Sequence, residues 1–456
     1  MFGTSGIRGV YGKDITEGLA GRVAYLFAKG KLAVGRDIRE SGPALRDAVL
    51  SGAFSAGAQV IDLGVVPTPT LALATKKHGC RGIMLTASHN PPEYNGLKLI
   101  EGGKEIGKEL EKEITQRYHS SEKVPAKARS ADNETVIHDN SIIDDHKRLI
   151  SGMVDEKAIA KRAPTVVVDC NGAGCVITPY LLSDLGCRVI SLNASLDCFN
   201  RPSEPNATNL AYLSRFVPMI GADFAIAHDG DGDRCVVLDE RGETLPFDAQ
   251  LAMMIEHELT SPKGKMEKNR NAKNKKGGKN QKIVSTVEAS LTIREVVEKA
   301  GGSIEITPVG STFVGDALEA KGALFGGEPC GEYIYADGVH VPDAVLAAAK
   351  FAEIFCLKGP FSKLKTRYPQ NPMARERFPA KDKLAAMERI KKAVSGLSIE
   401  GKLRSDDGVR MDEKDGWFLI RASGTEPIVR LTMEYKTKKS LDERGKIVRK
   451  AIIEAV

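Results

Sequence analysis

The feature that most constrains the fold of this 456-residue chain is a strand–helix–strand pattern that occurs three times. Each copy has an apolar strand, a helix-length segment, and a glycine that leads into a second strand. The copies run from Leu32–Asp37 through a helix near Ser41 to Gly57–Ile61, from Thr165–Asp169 through a helix near Val176 to Gly186–Ile190, and from Lys282–Thr286 through a helix near Ser290 to Gly301–Ile306. Such segments with short connections are typical of βαβ units. The pattern therefore predicts three related α/β domains.

The last part of the chain follows a different pattern. A predicted helix at Lys383–Val394 precedes three strand-like segments, Gly408–Asp412, Trp417–Arg421 and Ile428–Met433, and a closing helix at Ser440–Glu454. Helix, strands and helix without a βαβ repeat predict a separate α+β domain. We place the domains at residues 1–150, 151–247, 248–360 and 361–456.

The net charge of +6 comes from one segment. Residues 262–282 hold nine Lys or Arg and one acid, whereas the rest of the chain is close to neutral. Because this segment lacks aromatic residues and apolar periodicity, we interpret it as a solvated insertion in the third domain rather than a nucleic-acid-binding element. A segment that touches RNA or a membrane is the alternative.

The remaining composition indicates a reduced, cytoplasmic protein. No apolar run approaches the ~18 residues of a membrane helix, and the N-terminus has no secretory pattern. The eight cysteines are scattered and form no C-x-x-C pair, so we expect reduced thiols and no structural zinc site.

The motif Asp229-Gly230-Asp231-Gly232-Asp233-Arg234 follows an apolar strand, Asp223–Ala227. The alternating glycines allow the three carboxylates to converge, and their mutual repulsion favours a bound divalent cation. Carboxylate ligands select a hard ion such as Mg²⁺. An EF-hand calcium loop is excluded because the strand Cys235–Leu238 lies where that loop would continue.

A second motif, Thr86-Ala87-Ser88-His89-Asn90-Pro91-Pro92, follows the apolar segment Gly82–Leu85. The prolines end the strand and fix a turn, so the Ser88 hydroxyl is free to point into a cleft. The alternative is a polar turn of common composition. Lys98 follows ten residues later, where the chain returns as a strand, and is a candidate electrostatic or acid/base group; its alternative is a solvated lysine.

Three further loops carry candidate ligand contacts. Arg421–Pro427 combines an arginine with small hydroxyl residues and a glycine, which suits a phosphate, and Arg430 could add a second cation. Gly3–Gly9 has a similar composition with one arginine, Arg8. Gly326–Glu332, expected as a loop after a strand at Ala323–Phe325, carries two carboxylates that could bind sugar hydroxyls. Plain turns are the alternative for each.

The order of five motifs resembles that of the α-D-phosphohexomutases, the family of phosphoglucomutases, phosphomannomutases and phosphoglucosamine mutases. These motifs are G-T-S-G-I-R, T-A-S-H-N-P, D-G-D-G-D-R, G-E-P-C-G-E and R-A-S-G-T-E-P, and they extend over the whole chain. The resemblance implies three related mixed α/β domains around a central cleft and a distinct C-terminal α+β domain. It also implies a cytoplasmic isomerase that moves a phosphoryl group between the 6- and 1-positions of a hexose through a sugar bisphosphate.

The resemblance implies a role for individual residues. Ser88 would carry the phosphoryl group and would bind Mg²⁺ together with Asp229, Asp231 and Asp233. Arg8, His89 and Lys98 match positions near the phosphoserine, as acid/base or electrostatic groups. The implied substrate-binding residues are Arg234, Glu328, Cys330, Glu332, Arg421, Ser423, Gly424, Thr425 and Arg430.

Many bacterial members of the family have serine and histidine where this chain has Cys330 and Glu332, so the role of that histidine does not transfer. The G-E-P-C-G-E form looks more like archaeal members, which favours glucosamine phosphate over mannose or glucose phosphate as the substrate. A metal-dependent phosphatase with Ser88 as nucleophile and a non-catalytic phosphosugar-binding protein are the alternatives. We expect a monomer or homodimer that binds neither nucleic acid nor membrane.

Overall fold

Each of the three predicted repeats folds as a βαβ unit with parallel strands. The paired strands are Lys31–Arg36 with Gln59–Val65, Thr165–Asp169 with Arg188–Leu192, and Lys282–Thr286 with Ser303–Thr307. In the third unit the Ser290 side chain accepts a hydrogen bond from the backbone N–H of Ile293, which caps the helix as its position suggests. The prediction of three related α/β domains and a different C-terminal domain is confirmed.

The computed structural model describes residues 1–3, 5–120, 136–261, 281–397, 399–423 and 426–456. Thr4 of the N-terminal motif, Gly424 and Thr425 of the C-terminal motif, and nearly all of the basic segment lie outside the described residues. Within the described residues no helix is long and apolar enough to cross a membrane.

The first domain contains a mixed sheet with the strand order β1-β5-β4-β2-β3-β7, and β6 pairs with β5. Its strands are β1 (Ile7–Val10), β2 (Lys31–Arg36), β3 (Gln59–Val65), β4 (Arg81–Leu85), β5 (Tyr94–Glu101), β6 (Lys104–Glu105) and β7 (Val136–His138). The helices in this part of the chain are α1 (Glu17–Phe27), α2 (Gly42–Ser55), α3 (Thr68–His78), α4 (Lys108–His119) and α5 (Ser141–Ser151).

The second sheet has the order β11-β10-β8-β9 and the third has the order β13-β12-β14-β15. Their strands are β8 (Thr165–Asp169), β9 (Arg188–Leu192), β10 (Phe224–His228), β11 (Cys235–Leu238), β12 (Lys282–Thr286), β13 (Ser303–Thr307), β14 (Phe325–Glu328) and β15 (Glu332–Tyr335). The accompanying helices are α6 (Glu156–Arg162), α7 (Thr178–Asp184), α8 (Leu213–Met219), α9 (Phe247–Thr260), α10 (Leu291–Lys299), α11 (Ser311–Lys321), α12 (Ala344–Lys358) and α13 (Phe361–Leu364), with 3-10 turns at Ala173–Val176 and Lys365–Arg367.

The C-terminal domain contains an antiparallel sheet with the order β16-β20-β19-β18-β17. Its elements are β16 (Met373–Pro379), α14 (Lys383–Ser395), β17 (Lys402–Arg404), β18 (Val409–Asp412), β19 (Gly416–Ala422), β20 (Ile428–Tyr435) and α15 (Lys438–Ala455). One face of this sheet packs on its own helices, and Trp417 and Leu419 on the other face join the apolar core shared with the second and third domains. Buried Glu434 ties the two parts together, because it accepts hydrogen bonds from the backbone of Leu291 and from the Trp417 indole.

The sheet order places the functional segments at strand ends. β2 and β4 are parallel neighbours, so Asp37 and Thr86 follow strands at the same edge of the first sheet. β8 and β10 are likewise parallel neighbours, which brings Asp169 beside the start of the aspartate motif. Ligand sites in α/β proteins form at this edge, beyond the carboxyl ends of the strands.

One predicted element is wrong. The strand expected at Ala323–Phe325 lies at Phe325–Glu328, so the glycine pair and Glu328 belong to the strand rather than to a loop. The chain turns at Pro329–Gly331 and returns antiparallel in β15. Glycine suits this strand because a Cβ at Gly326 would lie 2.6 Å from the Val314 side chain.

Candidate active site

Ser88 lies at the tip of the loop that follows β4, with φ of +52° and only 1% of its surface exposed. Its hydroxyl donates a 2.7 Å hydrogen bond to Asp229 Oδ2 of the second domain and lies 3.3 Å from His89 Nδ1. A non-glycine residue at positive φ is strained by about 1–3 kcal/mol and persists only where its surroundings fix it. The loop therefore holds one hydroxyl against the aspartate motif at an energetic cost.

Arg39 supplies the surroundings that fix this loop. All five N–H groups of its buried guanidinium donate to neighbours: Nε to Asp37 Oδ2 at 3.0 Å, and the two terminal nitrogens to the carbonyls of Ser88, Asn90, Pro91 and Tyr94 at 2.5–2.9 Å. Asp37 also accepts from the Thr86 hydroxyl. This pair was not predicted from the sequence, although an acid at the end of β2 and an arginine two residues later were visible in the first repeat.

Asp229, Asp231 and Asp233 converge as predicted. One oxygen from each lies within 4.8 Å of the others, and all three side chains are buried. Both carboxylate oxygens of Asp229 accept hydrogen bonds, Oδ2 from the Ser88 hydroxyl and Oδ1 from the backbone N–H groups of Asp233 and Arg234. The Oδ1 atoms of Asp231 and Asp233 are buried and have no hydrogen-bond partner among the described residues.

This donor set fits a divalent cation. Buried acceptors without partners are rare because each costs free energy, and two carboxylate oxygens in one cluster are suited to a hard metal ion. Burial, and then the charges of Asp233 and Asp231, raise the pKa of Asp229 well above its usual range. A cation at this position would relieve that repulsion.

Lys98 faces the same cluster from β5. Its ammonium lies 3.0 Å from Asp231 Oδ2 and 2.5 Å from Asp233 Oδ2, and the side chain is 1% exposed. Burial lowers the pKa of Lys98, but the two carboxylates outweigh this effect and raise it above the usual value. Lys98 is therefore a fixed positive charge and not a solvated lysine.

The aspartate loop is held by a second arginine–aspartate pair. Arg201 Nε donates to Asp169 Oδ2 at 2.6 Å, and its terminal nitrogen donates to the carbonyl of His228 at 2.6 Å. Ser203, two residues later, donates from its hydroxyl to the Ser88 carbonyl at 2.8 Å. Arg201 and Ser203 therefore hold both the aspartate loop and the serine loop in place. No sequence pattern predicted a role for this segment.

The N-terminal motif packs beside these loops. Arg8 donates to the Ser5 hydroxyl at 3.3 Å, while its Nε atom is buried and unpartnered among the described residues. Ser5 in turn donates to Glu105, a buried carboxylate that also accepts from Ser311 and Thr312 in the third domain. Through Ser5, Glu105 therefore links Arg8 of the first domain to the third domain. No sequence motif marks Glu105.

His89 is neutral in this environment. Burial, and then the positive charges of Arg234 and Arg8, lower the pKa of His89 to about 3. Its Nδ1 atom is the one that faces the Ser88 hydroxyl. A neutral imidazole can accept or relay a proton, whereas it adds no charge to the cluster.

The hairpin β14–β15 places Glu328 directly opposite Glu332, so both carboxylates lie on one face. Glu332 pairs with Arg234 at 3.1 Å, which joins this hairpin to the end of the aspartate motif. Glu328 accepts from the backbone N–H of Gly310 at 3.2 Å. Burial, and then repulsion from Glu332, raise the pKa of Glu328 well above the usual range.

The C-terminal motif lies at the end of β19. Arg421 contacts both oxygens of Asp407, at 3.0 and 2.8 Å, and Glu288 at 3.4 Å. The Ser423 hydroxyl accepts from the backbone N–H of Glu426, whose carboxylate pairs with Arg430 at 2.7 Å. Gly424 and Thr425, predicted to bind phosphate, lie outside the described residues.

A cavity of about 810 Å³ separates the C-terminal sheet from the third domain. Its walls include Pro329 and Cys330 from the hairpin turn and Arg375, Arg377 and Arg430 from the sheet. The predicted sugar contact and one predicted phosphate contact therefore share one cavity. The structure brings Ser88, Lys98 and the aspartates together separately, at the junction of the first two domains.

Sequence models of the phosphoglucomutase/phosphomannomutase family match this chain in consecutive stretches. The alpha/beta/alpha domain I model matches residues 1–125, domain II matches 145–242, domain III matches 266–371, and the C-terminal domain model matches 373–451. These matches extend over most of the chain.

Similar proteins carry two names. A probable phosphoglucosamine mutase of Thermococcus kodakarensis is 37% identical, with 100% of this chain and 99% of that protein covered. A phosphoglucomutase/phosphomannomutase of the same organism is 35% identical, with 100% and 99% covered. The crystal structure of a phosphoglucomutase/phosphomannomutase family protein from Burkholderia thailandensis has a TM-score of 0.81 at 24% identity, covers 100% of this chain and 98% of that one, and shares the fold.

Proposed function

This chain belongs to the phosphoglucomutase/phosphomannomutase family, and we propose that it interconverts glucosamine 6-phosphate and glucosamine 1-phosphate. Membership makes the protein a phosphohexomutase, an isomerase that moves a phosphoryl group within a hexose phosphate. The choice of glucosamine rests on relatives named probable phosphoglucosamine mutase at 36–37% identity. The relative named phosphoglucomutase/phosphomannomutase, at 35%, supports mannose or glucose phosphate as the second candidate.

The observation that carries the mechanism is the strained Ser88, whose hydroxyl faces three buried carboxylates. In the active form Ser88 carries a phosphoryl group. A free hydroxyl of the sugar phosphate attacks the phosphorus and the bond from phosphorus to Ser88 Oγ breaks. The site takes up the proton lost by the sugar hydroxyl and supplies one to Ser88 Oγ, which leaves as a neutral hydroxyl. The resulting bisphosphate reorients and returns its other phosphoryl group to Ser88 by the reverse of this step.

Asp229, Asp231 and Asp233 would hold Mg²⁺ together with the Ser88 phosphoryl group, because the three carboxylates converge and the buried Oδ1 atoms of Asp231 and Asp233 have no hydrogen-bond partner among the described residues. When bound, the ion supplies positive charge that stabilises the transferring phosphoryl group. Lys98 adds a permanent positive charge beside the same carboxylates. Arg39 and Arg201 keep the two loops in register, so that the phosphoryl group stays in one place while the sugar turns.

The remaining contacts bind the substrate. Glu328 would accept hydrogen bonds from sugar hydroxyls on the hairpin face, and Cys330, on the turn of the hairpin, lines the cavity of about 810 Å³. Arg234 and Glu332 connect this face to the reacting centre. His89, whose Nδ1 atom faces the Ser88 hydroxyl, is the proposed proton-accepting group, and Arg8, whose charge acts on His89, is the proposed electrostatic group. Arg421, Ser423, Gly424, Thr425 and Arg430 are the proposed phosphate contacts.

Intact-mass measurement tests the phosphoserine. Purified protein incubated with a hexose bisphosphate should gain ~80 Da, the mass of one phosphoryl group replacing a proton. Ser88→Ala should lose both the adduct and turnover, whereas Ser51→Ala, an exposed serine on α2, should keep both. Normal interconversion by Ser88→Ala would refute the mechanism. Net release of inorganic phosphate faster than isomerisation would indicate a serine phosphatase instead.

A comparison of kcat/KM on glucosamine, mannose and glucose phosphates tests the substrate. We expect the highest value for glucosamine phosphate. A higher value for either neutral sugar would assign the chain to the second candidate without affecting the phosphoserine mechanism.

A further inference from the structure

Three arginines stand in register across the C-terminal sheet. Arg377 of β16 lies directly opposite Arg430 of β20, which lies directly opposite Arg421 of β19. Directly opposite residues of antiparallel strands share a face, with Cβ atoms about 4.5–5.5 Å apart, and like charges there are destabilising. A row of this kind favours a bound anion.

The three guanidinium groups differ in their exposure and in the carboxylates that they contact. Arg421 is 28% exposed, and its donors are directed at Asp407 and Glu288. Arg430 is 50% exposed and Arg377 is 71% exposed, and both face the single carboxylate of Glu426, at 2.7 and 3.9 Å. An exposed pair of this kind is weak, so Arg430 and Arg377 can release Glu426 for a stronger anion.

The cavity shows where such an anion would come from. Arg377 and Arg430 line the same space as Pro329 and Cys330 of the sugar-binding hairpin. A hexose phosphate held by its hydroxyls at the hairpin would extend its distal phosphate across this space toward the arginine row. Two neighbouring guanidinium groups match the oxygen geometry of a phosphate.

We propose that Arg377 binds the phosphate that is not being transferred, beside Arg430, and so adds an arginine from outside the Arg421–Pro427 motif to the phosphate site. This inference rests on the proposed function for the identity of the ligand, but the arginine row itself does not. Because Arg377 would contact the non-transferred phosphate in the substrate, the product and the transition state alike, it stabilises all three to a similar extent.

Kinetics provide the first test. Arg377→Ala should raise KM for the 1-phosphate and the 6-phosphate by about tenfold or more, the effect of losing a hydrogen bond to a charged group, with kcat little changed. Arg377→Lys should recover part of the loss, since lysine keeps the charge but not the fork. Arg241→Ala, an exposed arginine on the turn after β11, is the matched control and should behave as wild type. An unchanged KM in Arg377→Ala would overturn the proposal.

Calorimetric titration with inorganic phosphate is the second test and needs no turnover. Arg377→Ala should weaken phosphate binding, whereas Glu426→Gln should strengthen it severalfold because it removes the carboxylate that competes for Arg377 and Arg430. Equal weakening by both variants would overturn the proposal. Phosphate binding that depends on Arg377 in a protein without isomerase activity would instead refute the proposed function and leave the anion site standing.

Discussion

Replacement of Arg39 by lysine tests whether the serine loop must be held rigidly. Arg39 lies behind the loop, is 2% exposed and uses all five N–H groups, one on Asp37 and four on loop carbonyls. A lysine ammonium has three donors at one point. At least two of the five hydrogen bonds that Arg39 donates are therefore lost, although the positive charge beside Asp37 remains.

The magnitude follows from those two hydrogen bonds. A hydrogen bond to a charged group contributes about 1.5–3 kcal/mol, so Arg39→Lys should lower the free energy of unfolding by about 3–6 kcal/mol. For a domain of this size, about 2–4 °C of Tm per kcal/mol predicts a decrease of at least about 6 °C. Arg39→Ala should lose more, because it leaves Asp37 buried without a cation, a change that costs about 3–5 kcal/mol.

The catalytic effect should exceed the structural one. With Arg39 shortened, the loop can relax the positive φ of Ser88 and move its hydroxyl from Asp229. A misplacement of ~1 Å at a reacting atom can reduce the rate about a hundredfold. Calorimetry measures Tm, and steady-state assays at a temperature where both proteins are folded measure kcat. Arg241→Lys is the control. A variant with wild-type Tm and kcat would refute the claim that Arg39 holds the loop.

Other regions of the molecule give further predictions. Asp231→Asn should weaken Mg²⁺ binding, measured by calorimetry, by about tenfold or more, because even the loss of an outer-shell partner of a metal costs about tenfold in affinity. Excess metal should not restore full activity. A thiol reagent should modify exposed Cys198 first, because burial raises the pKa of Cys187 to about 12, and Cys198→Ser should remove the fast phase. Arg410→Ala should shift the fluorescence of the single tryptophan, Trp417, to the red at lower urea than in wild type, because the Arg410 guanidinium lies 3.9 Å from the centre of the Trp417 ring and donates to Ala289 of the third domain.

The elements that the sequence predicts well are those with a local cause. The βαβ repeats follow from apolar runs and turn residues, and the convergence of the three aspartates follows from their spacing with glycine. The strand at Phe325–Glu328 was misplaced because Gly326 and Gly327 look like loop residues. Their real constraint is crowding by side chains such as Val314 and Leu251, which sequence does not reveal.

Contacts between distant segments were beyond prediction. Arg39 meets the serine loop about fifty positions later, and Glu105 meets Ser311 about two hundred positions later. Each of these residues is unremarkable in its local sequence. The row of Arg377, Arg430 and Arg421 depends on strand register, which is fixed only when the C-terminal sheet has formed.

The repeats explain why the reacting groups come from the first two domains. An aspartate lies at the end of the first strand of each of these repeats, Asp37 or Asp169, and it orients an arginine onto a backbone carbonyl, that of Ser88 or that of His228. In the third repeat the corresponding strand ends in Thr286, which cannot form such an ion pair, and Glu328 and Glu332 are positioned instead by the paired backbones of a hairpin. Ion-paired arginines fix loops that must hold a strained serine and a carboxylate cluster. A hairpin needs no such brace, and its Glu328 and Glu332 side chains project from one face, which under the proposed function meets a sugar that has to turn.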